Sequence, residues 1–146
     1  MKQEFRCNCP ITSALDILGD KWMLVLVKQM LIEGKNTFKD FVESDEAIAT
    51  NILSSKLKLL EQNGLVEKRS HPTNRKINLY HLTQKGLDLA PVLLELAIWS
   101  DRYVRDQHPS MVHAHETHAF KRDKQAFIEQ LKSAYAQKRA AAFEPQ

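Results

Sequence analysis

The chain has 146 residues, enough for one domain with a helical appendage. Hydrophobic residues make up 43% of it and charged residues 27%, a composition that allows a buried core and excludes wholesale disorder. Two cysteines are too few for a disulfide framework or a four-cysteine zinc site. The net charge of +3 mildly favours a polyanionic partner.

The apolar stretches of the sequence are short. The longest, from Trp22 to Val27, is far below the roughly 20 residues that a bilayer-spanning helix needs. The residues from Met1 to Arg6 lack the apolar region of a secretory signal. We therefore expect a cytoplasmic protein with no membrane partner, whose cysteines are reduced at rest.

The first predicted elements are three helices. The first runs from Pro10 to Leu18, with proline at a permitted first-turn position. Asp20 is a candidate N-cap for the second, from Lys21 to about Ile32, which is apolar on nearly every side and therefore predicted to be buried. Thr37 is positioned to cap the third, a short helix with an apolar stripe.

The fourth predicted helix, from about Ala47 to Asn63, has two distinct faces. Its aliphatic side chains fall on one half, with Lys56 and Asn63 as the exceptions there. The other half is polar and carries Thr50, Asn51, Ser54, Ser55, Lys58, Glu61 and Gln62. Hydroxyl, amide and lysine side chains pair with base edges and phosphates in a major groove, which is wide enough for one helix. A solvated face is the alternative, but it more often carries Glu and Lys pairs, so we favour DNA.

Two runs rich in β-forming residues follow, Leu65 to Ser70 and Ile77 to Leu82. They predict a β-hairpin with its tip at about Pro72 to Lys76. Between Lys56 and Lys76 there are six basic and two acidic residues, a net charge of +4 against +3 for the whole chain. Such a hairpin is typical of a wing that lies along the DNA backbone or minor groove. An ordinary solvated turn is the alternative.

The remaining sequence predicts further helices. One starts at Thr83 and reaches about Tyr103 or Arg105, and Pro91 either kinks it or marks a boundary at Ala90. A last helix from about Glu116 to Ala142 bears an apolar stripe for packing. Four helices, a hairpin and two more helices are typical of a winged helix-turn-helix.

Several motifs in this order resemble those of a known family. They are Cys9-Pro10, Leu18-Gly19-Asp20-Lys21-Trp22, Thr37-Phe38-Lys39-Asp40-Phe41, the run from Leu57 to Val66, Tyr80-His81-Leu82-Thr83-Gln84-Lys85-Gly86, Pro91-Val92-Leu93 and Trp99. Together they resemble the HxlR-type winged helix-turn-helix transcription regulators of bacteria, which are MarR-like. The resemblance covers the chain from Cys9 to about Tyr103.

The resemblance implies a homodimeric, DNA-binding regulator that is mainly α with a small β-hairpin wing. It implies dimer contacts from the N-terminal helix and from the helices after the wing. We accordingly expect a DNA-binding domain over residues 1–105 and a C-terminal link with an amphipathic helical extension over residues 106–146. Arg75 and Lys76 stand where the family commonly has a proline pair, which predicts a more basic and less rigid wing.

We predict DNA contacts from the fourth helix, the wing and the start of the third helix. The predicted contact residues are Thr50, Asn51, Ser54, Ser55, Lys56, Lys58, Arg69, Arg75, Lys76, Thr37 and Lys39. In a dimer, two such helices enter successive major grooves of double-stranded DNA at a pseudo-palindromic operator. A winged-helix module that binds proteins and not DNA is the alternative.

Cys9, and with it Cys7, is a candidate redox sensor. Cys9 lies directly before a helix start, where the helix dipole favours the thiolate, and the charge of Arg6 is expected to act in the same direction. In some family members the cysteine before the proline senses oxidants or electrophiles. A strained bridge between the two cysteines, a bridge across the dimer and an inert thiol are all open, as is a small-molecule effector.

His108, His113, His115 and His118, with Glu116, form the one group that suggests a metal. The spacing of three between His115 and His118 differs from the His-Glu-x-x-His spacing of zinc proteases. We therefore predict no metal and no cofactor, with a His-rich metal-binding protein as a further alternative. The sequence has no nucleophile elbow, phosphate-binding glycine loop or spaced carboxylate pair, so we predict that it is not an enzyme.

Overall fold

The structure, a computed structural model, describes residues 3–112 and 115–143, and of residues 115–118 only the backbone. Helices predominate, and one β-hairpin interrupts them. The elements are α1 (Pro10–Leu18), α2 (Met23–Leu31), α3 (Phe38–Val42), α4 (Thr50–Gln62), β1 (Val66–Ser70), β2 (Asn78–Leu82), α5 (Gln84–Leu87), α6 (Ala90–Tyr103), α7 (His115–Arg122) and α8 (Lys124–Ala142). Within the described residues, no helix combines the length and apolar character needed to cross a membrane.

The core forms around α2, as its apolar sequence predicts. Leu26 and Val27 are fully buried, and they belong to one cluster with residues of α4, the hairpin and α6. The helix begins at Met23 and not at Lys21, because Asp20 forms a turn in front of it. Asp20 Oδ1 accepts hydrogen bonds from the backbone N–H groups of Trp22 (2.7 Å) and Met23 (2.9 Å). The predicted N-cap position is wrong by two residues, because Trp22 is the N-cap residue of α2, but the Asp20 carboxylate does accept N–H groups at the helix start.

The helix α4 begins later than predicted. Ala47 has a φ of 55°, in the left-handed region, so it interrupts the helix instead of starting it. Ile48 is buried and anchors this segment in the core, and Ala49 is the extended N-cap residue. The first turn of the predicted helix is therefore wrong, whereas the end at Gln62, next to Asn63, agrees with the prediction.

The two strands form an antiparallel hairpin in which Val66 pairs with Leu82 and Ser70 with Asn78. This confirms a mainly α fold with a small β-hairpin. Beyond the hairpin, the predicted helix from Thr83 is two helices, because Pro91 occupies the first turn of a separate α6. Of the two interpretations of that proline, the boundary at Ala90 is the observed one.

The predicted last helix is also two helices. Asp123, with a φ of −150°, leaves the helical conformation and caps α8, because its side chain accepts the N–H of Ala126 at 3.1 Å. The α7 residue Phe120 is buried and contacts the Phe127 ring edge-on. The helix α8 packs against the main core.

Candidate nucleic-acid interface

The helix α4 has one buried and one exposed face. Its leucines at 53, 57 and 60 are buried in the core. Its exposed polar side chains include Thr50, Asn51, Ser54, Ser55 and Lys58. These five residues, which we call the reading face, are predicted contact residues, and α4 brings them together on one side. Hydroxyl and amide groups with one lysine match the donors and acceptors of base edges in a major groove.

Lys56 lies apart from the reading face. Its Nζ is 3.0 Å from Asp20 Oδ2, and its side chain is 22% exposed. Burial by itself raises the pKa of Asp20, but the N–H groups of Trp22 and Met23 and the Lys56 ammonium outweigh it and hold that pKa below its ordinary value. Lys56 therefore joins α4 to the start of α2, and its contact with DNA stays a prediction.

The start of α3 is a reciprocal capping box. Thr37 Oγ1 accepts the N–H of Asp40 at 3.1 Å, and Asp40 Oδ2 accepts the N–H groups of Asn36 and Thr37, both at 3.2 Å. The hydroxyl of Thr37 is therefore engaged within the chain. Lys39 is exposed and lies 3.9 Å from Glu43, an ion pair of the kind that solvent screens.

The tip of the hairpin is hydrogen-bonded to itself, although it lacks the proline pair. The N–H of His71 donates to the carbonyl of Ile77 at 2.8 Å, and His71 Nδ1 accepts the N–H of Asn74 at 3.2 Å. Asn74 Oδ1 in turn accepts the N–H of Lys76 at 3.2 Å. Neither His71 nor Asn74 was predicted to order the tip. The signal available in the sequence was asparagine, which bonds to the backbone two residues on.

Exposed basic side chains continue from α4 along the hairpin. Arg69 projects from β1, and Arg75 and Lys76 project from the tip. Glu67 compensates part of this charge, because its Oε2 lies 3.2 Å from Arg69 Nη2. The turn between α4 and β1 is tight, with Gly64 at a φ of 71°, so the basic hairpin directly follows the reading face.

Cys7 and Cys9 are both free and exposed. Cys9 is the N-cap residue of α1. The backbone N–H and the hydroxyl of Thr12, with the N–H of Ile11, lower the pKa of the Cys9 thiol because they favour the thiolate. Arg6 has a different role from the one expected, because its Nε pairs with Asp16 Oδ1 at 2.5 Å.

Exposed apolar side chains gather on α1 and α6. They are Ile11, Leu15, Val92, Leu96, Trp99 and Tyr103. Ile11 lines the same groove as the four α6 residues, and Trp99, which is 58% exposed, packs against the ring of Tyr103 with centroids 5.6 Å apart. Contiguous exposed apolar surface of this kind marks an interaction site. We call it the α1–α6 face.

The histidine cluster cannot be placed. His113 and the side chains of His115, Glu116 and His118 lie outside the described residues, and His108 is exposed. In the part of the chain that the structure describes, no group of three or more His, Cys, Asp or Glu side chains is arranged to hold a metal ion.

Comparisons of the sequence identify the family. The HxlR-like helix-turn-helix family matches residues 17–108, a region that contains α2 to α6 and begins after both cysteines. The HTH-type transcriptional regulator YodB of Bacillus subtilis is 34% identical over 96 residues, which are 65% of this chain and 85% of YodB. The regulator YdeP of the same organism is 33% identical over 96 residues, 66% of this chain and 74% of YdeP.

Solved structures agree with this relationship. The redox regulator HypR in its reduced form is 29% identical, with a TM-score of 0.59 over 68% of this chain and 100% of HypR. Reduced YodB from Bacillus subtilis is 33% identical, with a TM-score of 0.54 over 66% of this chain and 95% of YodB. These relatives are regulators and not enzymes. The chain accordingly belongs to the HxlR-like helix-turn-helix family of transcriptional regulators.

Proposed function

We propose that this regulator binds a pseudo-palindromic DNA operator as a homodimer, through the reading face of α4 and the basic hairpin. The observation that carries the proposal is the exposure of polar side chains on a helix whose other face is buried in the core. In a major groove, the Asn51 amide is suited to pair with an adenine edge. The Ser54 and Ser55 hydroxyls suit several bases, and Lys58 suits guanine or phosphate.

The hairpin is assigned to the DNA backbone. Arg69, Arg75 and Lys76 are exposed cations, and each one that meets a phosphate releases a counterion. Such contacts set the position and orientation of the protein without reading sequence. The hairpin therefore supplies affinity, and the reading face supplies specificity.

The α1–α6 face is assigned to the homodimer. Trp99 and Tyr103 are large, half-exposed aromatic side chains of the kind that form the centre of protein interfaces. A two-fold axis through this face presents two α4 helices to half-sites about one helical turn of DNA apart. A dimer with this geometry requires an operator with matching two-fold symmetry.

The signal is assigned to Cys9. HypR is described as a redox regulator, and YodB has a quinone-bound form. In this chain Cys9 is exposed, and the pKa of its thiol is lowered. Its thiolate sulfur is suited to add to a ring carbon of a quinone: a C–S bond forms as a ring C=C π bond breaks, and one carbonyl oxygen takes up a proton from solvent. The proton on the attacked carbon then moves to the second carbonyl oxygen, so the quinone is reduced to a hydroquinone thioether. This addition needs no further oxidant.

The test is fluorescence anisotropy on a labelled duplex from upstream of the protein's own gene, at several salt concentrations. A scrambled duplex of equal length is the comparison. We expect tighter binding to the first duplex and a steep loss of affinity with salt, because phosphate contacts release counterions. Binding to neither duplex, with the cysteines reduced, would instead favour the protein-interaction module.

Arg75→Ala tests the hairpin. We expect the variant to bind both duplexes more weakly by a similar factor and to lower the salt slope by about one, because one phosphate contact is lost. Arg122→Ala, which removes the same charge from α7, is the control and should leave the slope unchanged. An unchanged slope in Arg75→Ala would contradict the assignment.

A further inference from the structure

The helix α8 lies against the outer edge of strand β2. The backbone N–H of Leu82 donates to the phenolic oxygen of Tyr135 at 2.7 Å. The carbonyl of the same residue accepts a hydrogen bond from Arg139 Nη1 at 2.6 Å. Two side chains one helical turn apart on α8 thus bind both backbone groups of one strand residue.

Phe143, at the end of α8, lies against the hairpin and contacts Arg69, one of the residues predicted to bind DNA. The ring of Phe143 meets His81 of β2 edge-on, with centroids 4.6 Å apart. The guanidinium carbon of Arg69, on β1, lies 5.0 Å from the centroid of the same ring. An arginine at this distance is attracted to the ring face, so Phe143 adds a second restraint, beside the ion pair with Glu67, to an exposed side chain.

These contacts have a physical reason in the smallness of the sheet. It has two strands, and β2 is an edge strand whose unpaired backbone groups would face solvent or another chain. Along this edge, the N–H of Tyr80 donates to the carbonyl of Asn36 at 2.7 Å. Tyr135 and Arg139 of α8 satisfy the backbone groups of Leu82, so these groups of the edge are paired from within the chain.

The helix α8 is itself fixed at positions away from the hairpin. Lys132 Nζ pairs with Asp88 Oδ1 at 2.5 Å, and Lys124 Nζ pairs with Glu95 Oε1 at 2.6 Å. Leu131 and Tyr135 pack against the main core. The contacts at Leu82 and Arg69 are therefore made by a helix with independent anchors, outside the region 17–108 that matches the family.

We propose that α8 is a brace for the hairpin, in which Tyr135, Arg139 and Phe143 are positioning residues that hold Arg69 in place for its phosphate contact. This inference rests on the proposed DNA-binding function. The brace reduces the number of conformations that Arg69 loses when it binds DNA, so it increases affinity without touching DNA. It assigns a role to the extension after residue 108.

The first experiment needs no DNA. Amide hydrogen exchange at Leu82 is measured in the full-length chain and in Tyr135→Phe, which removes only the hydroxyl. We expect exchange at Leu82 to become roughly fivefold faster, because its N–H loses an acceptor. A second pair of variants, Arg139→Gln and Lys138→Gln, removes the same charge at two neighbouring positions of α8. Lys138→Gln is the control, since Lys138 is exposed. Only Arg139→Gln should affect the hairpin amides.

The second experiment is a double-mutant cycle on DNA affinity, with Phe143→Ala and Arg69→Ala. We expect Phe143→Ala to weaken binding roughly two- to fivefold in the wild-type background and to have no further effect in the Arg69→Ala background. A merely structural defect would weaken binding in both backgrounds. Thermal melting followed by circular dichroism confirms that each variant is folded.

The outcomes separate the brace from the proposed function. Unchanged exchange at Leu82 in Tyr135→Phe, or equal effects of Phe143→Ala in both backgrounds, overturns the brace even where Arg69→Ala weakens binding. If wild-type protein does not bind DNA, the DNA function fails, and the positioning role fails with it. If wild-type protein binds DNA and Arg69→Ala binds equally tightly, the positioning role alone fails. Faster exchange together with a coupled cycle supports the inference.

Discussion

Two lysines on α4 illustrate how much a single side chain depends on its surroundings. Lys58 is exposed on the reading face, whereas Lys56 is held by Asp20 at the start of α2. The residue types are the same and the positions differ by two, so the sequence predicted both as DNA contacts. Helical periodicity places Lys56 on the aliphatic half of α4 and Lys58 on the polar half, but it does not show that Asp20, 36 positions away along the chain, is the partner of Lys56.

The proposed role of Cys9 in sensing a quinone can be tested at this single residue. Because the pKa of its thiol is lowered, more of it is thiolate at a given pH than of an ordinary cysteine. We expect alkylation of Cys9 by iodoacetamide, followed by peptide mass spectrometry, to persist to lower pH than alkylation of a model thiol. Quinone should alter DNA binding of wild type but not of Cys9→Ser.

Cys7→Ser is the matched control for that experiment, because Cys7 is also exposed but does not cap the helix. It should respond to quinone as wild type does. A quinone response that survives in Cys9→Ser and is lost in Cys7→Ser would assign the signal to the other cysteine.

Among the elements, α3 and α5 each begin after a threonine that the sequence places at a helix start. Thr37 caps α3 and Thr83 caps α5, as their hydroxyls accept N–H groups within the same turn. The start of α4 was misplaced because no side chain caps it. That start is determined by the left-handed backbone conformation of Ala47 and by the burial of Ile48. Neither feature is indicated by a local pattern in the sequence.

The capping box of α3 makes a prediction at this scale. Burial alone raises the pKa of Asp40, but the N–H of Asn36 and the hydroxyl and N–H of Thr37 outweigh it, so that pKa is lowered. The unfolded chain therefore binds the proton more readily, and the stabilisation is present above the ordinary carboxyl pKa and is lost as pH falls through the folded value.

We expect Asp40→Asn to lower the free energy of unfolding at pH 7 by about 1 kcal/mol. The difference from wild type should shrink as the solution is acidified below the ordinary carboxyl pKa. Urea denaturation at a series of pH values measures both. Asp45→Asn, at an exposed position just after α3, is the control and should follow wild type. A difference that is constant with pH would contradict the linkage.

On the scale of the whole molecule, the α1–α6 face is the proposed dimer interface, and its role can be tested by one substitution. Trp99→Glu places a charge in the proposed interface, and we expect sedimentation velocity to show monomers. DNA affinity should fall roughly tenfold or more, because two linked reading faces bind together. Val112→Glu, at an 83% exposed apolar position outside this face, is the control. A Trp99→Glu dimer with normal affinity would contradict the assignment.

Local patterns in the sequence were sufficient for the two-faced character of α4, for the basic hairpin and for the starts of α3 and α5. Helical periodicity, β-forming runs and cap chemistry act over a few residues, so they can be read without the fold. The exposure of Arg75 and Lys76 was predictable in the same way, because both residues lie in a short polar turn between two strands.

Contacts between distant residues were decided by the folded chain alone. Tyr135 meets Leu82 across 53 positions, and Lys56 meets Asp20 across 36. Hydrophobic pattern predicts that the stripe on α8 packs, but many surfaces can cover such a stripe, and pattern does not choose among them. The tertiary structure makes that choice, because in the observed arrangement α8 packs against the core and also satisfies the backbone groups of Leu82 in β2.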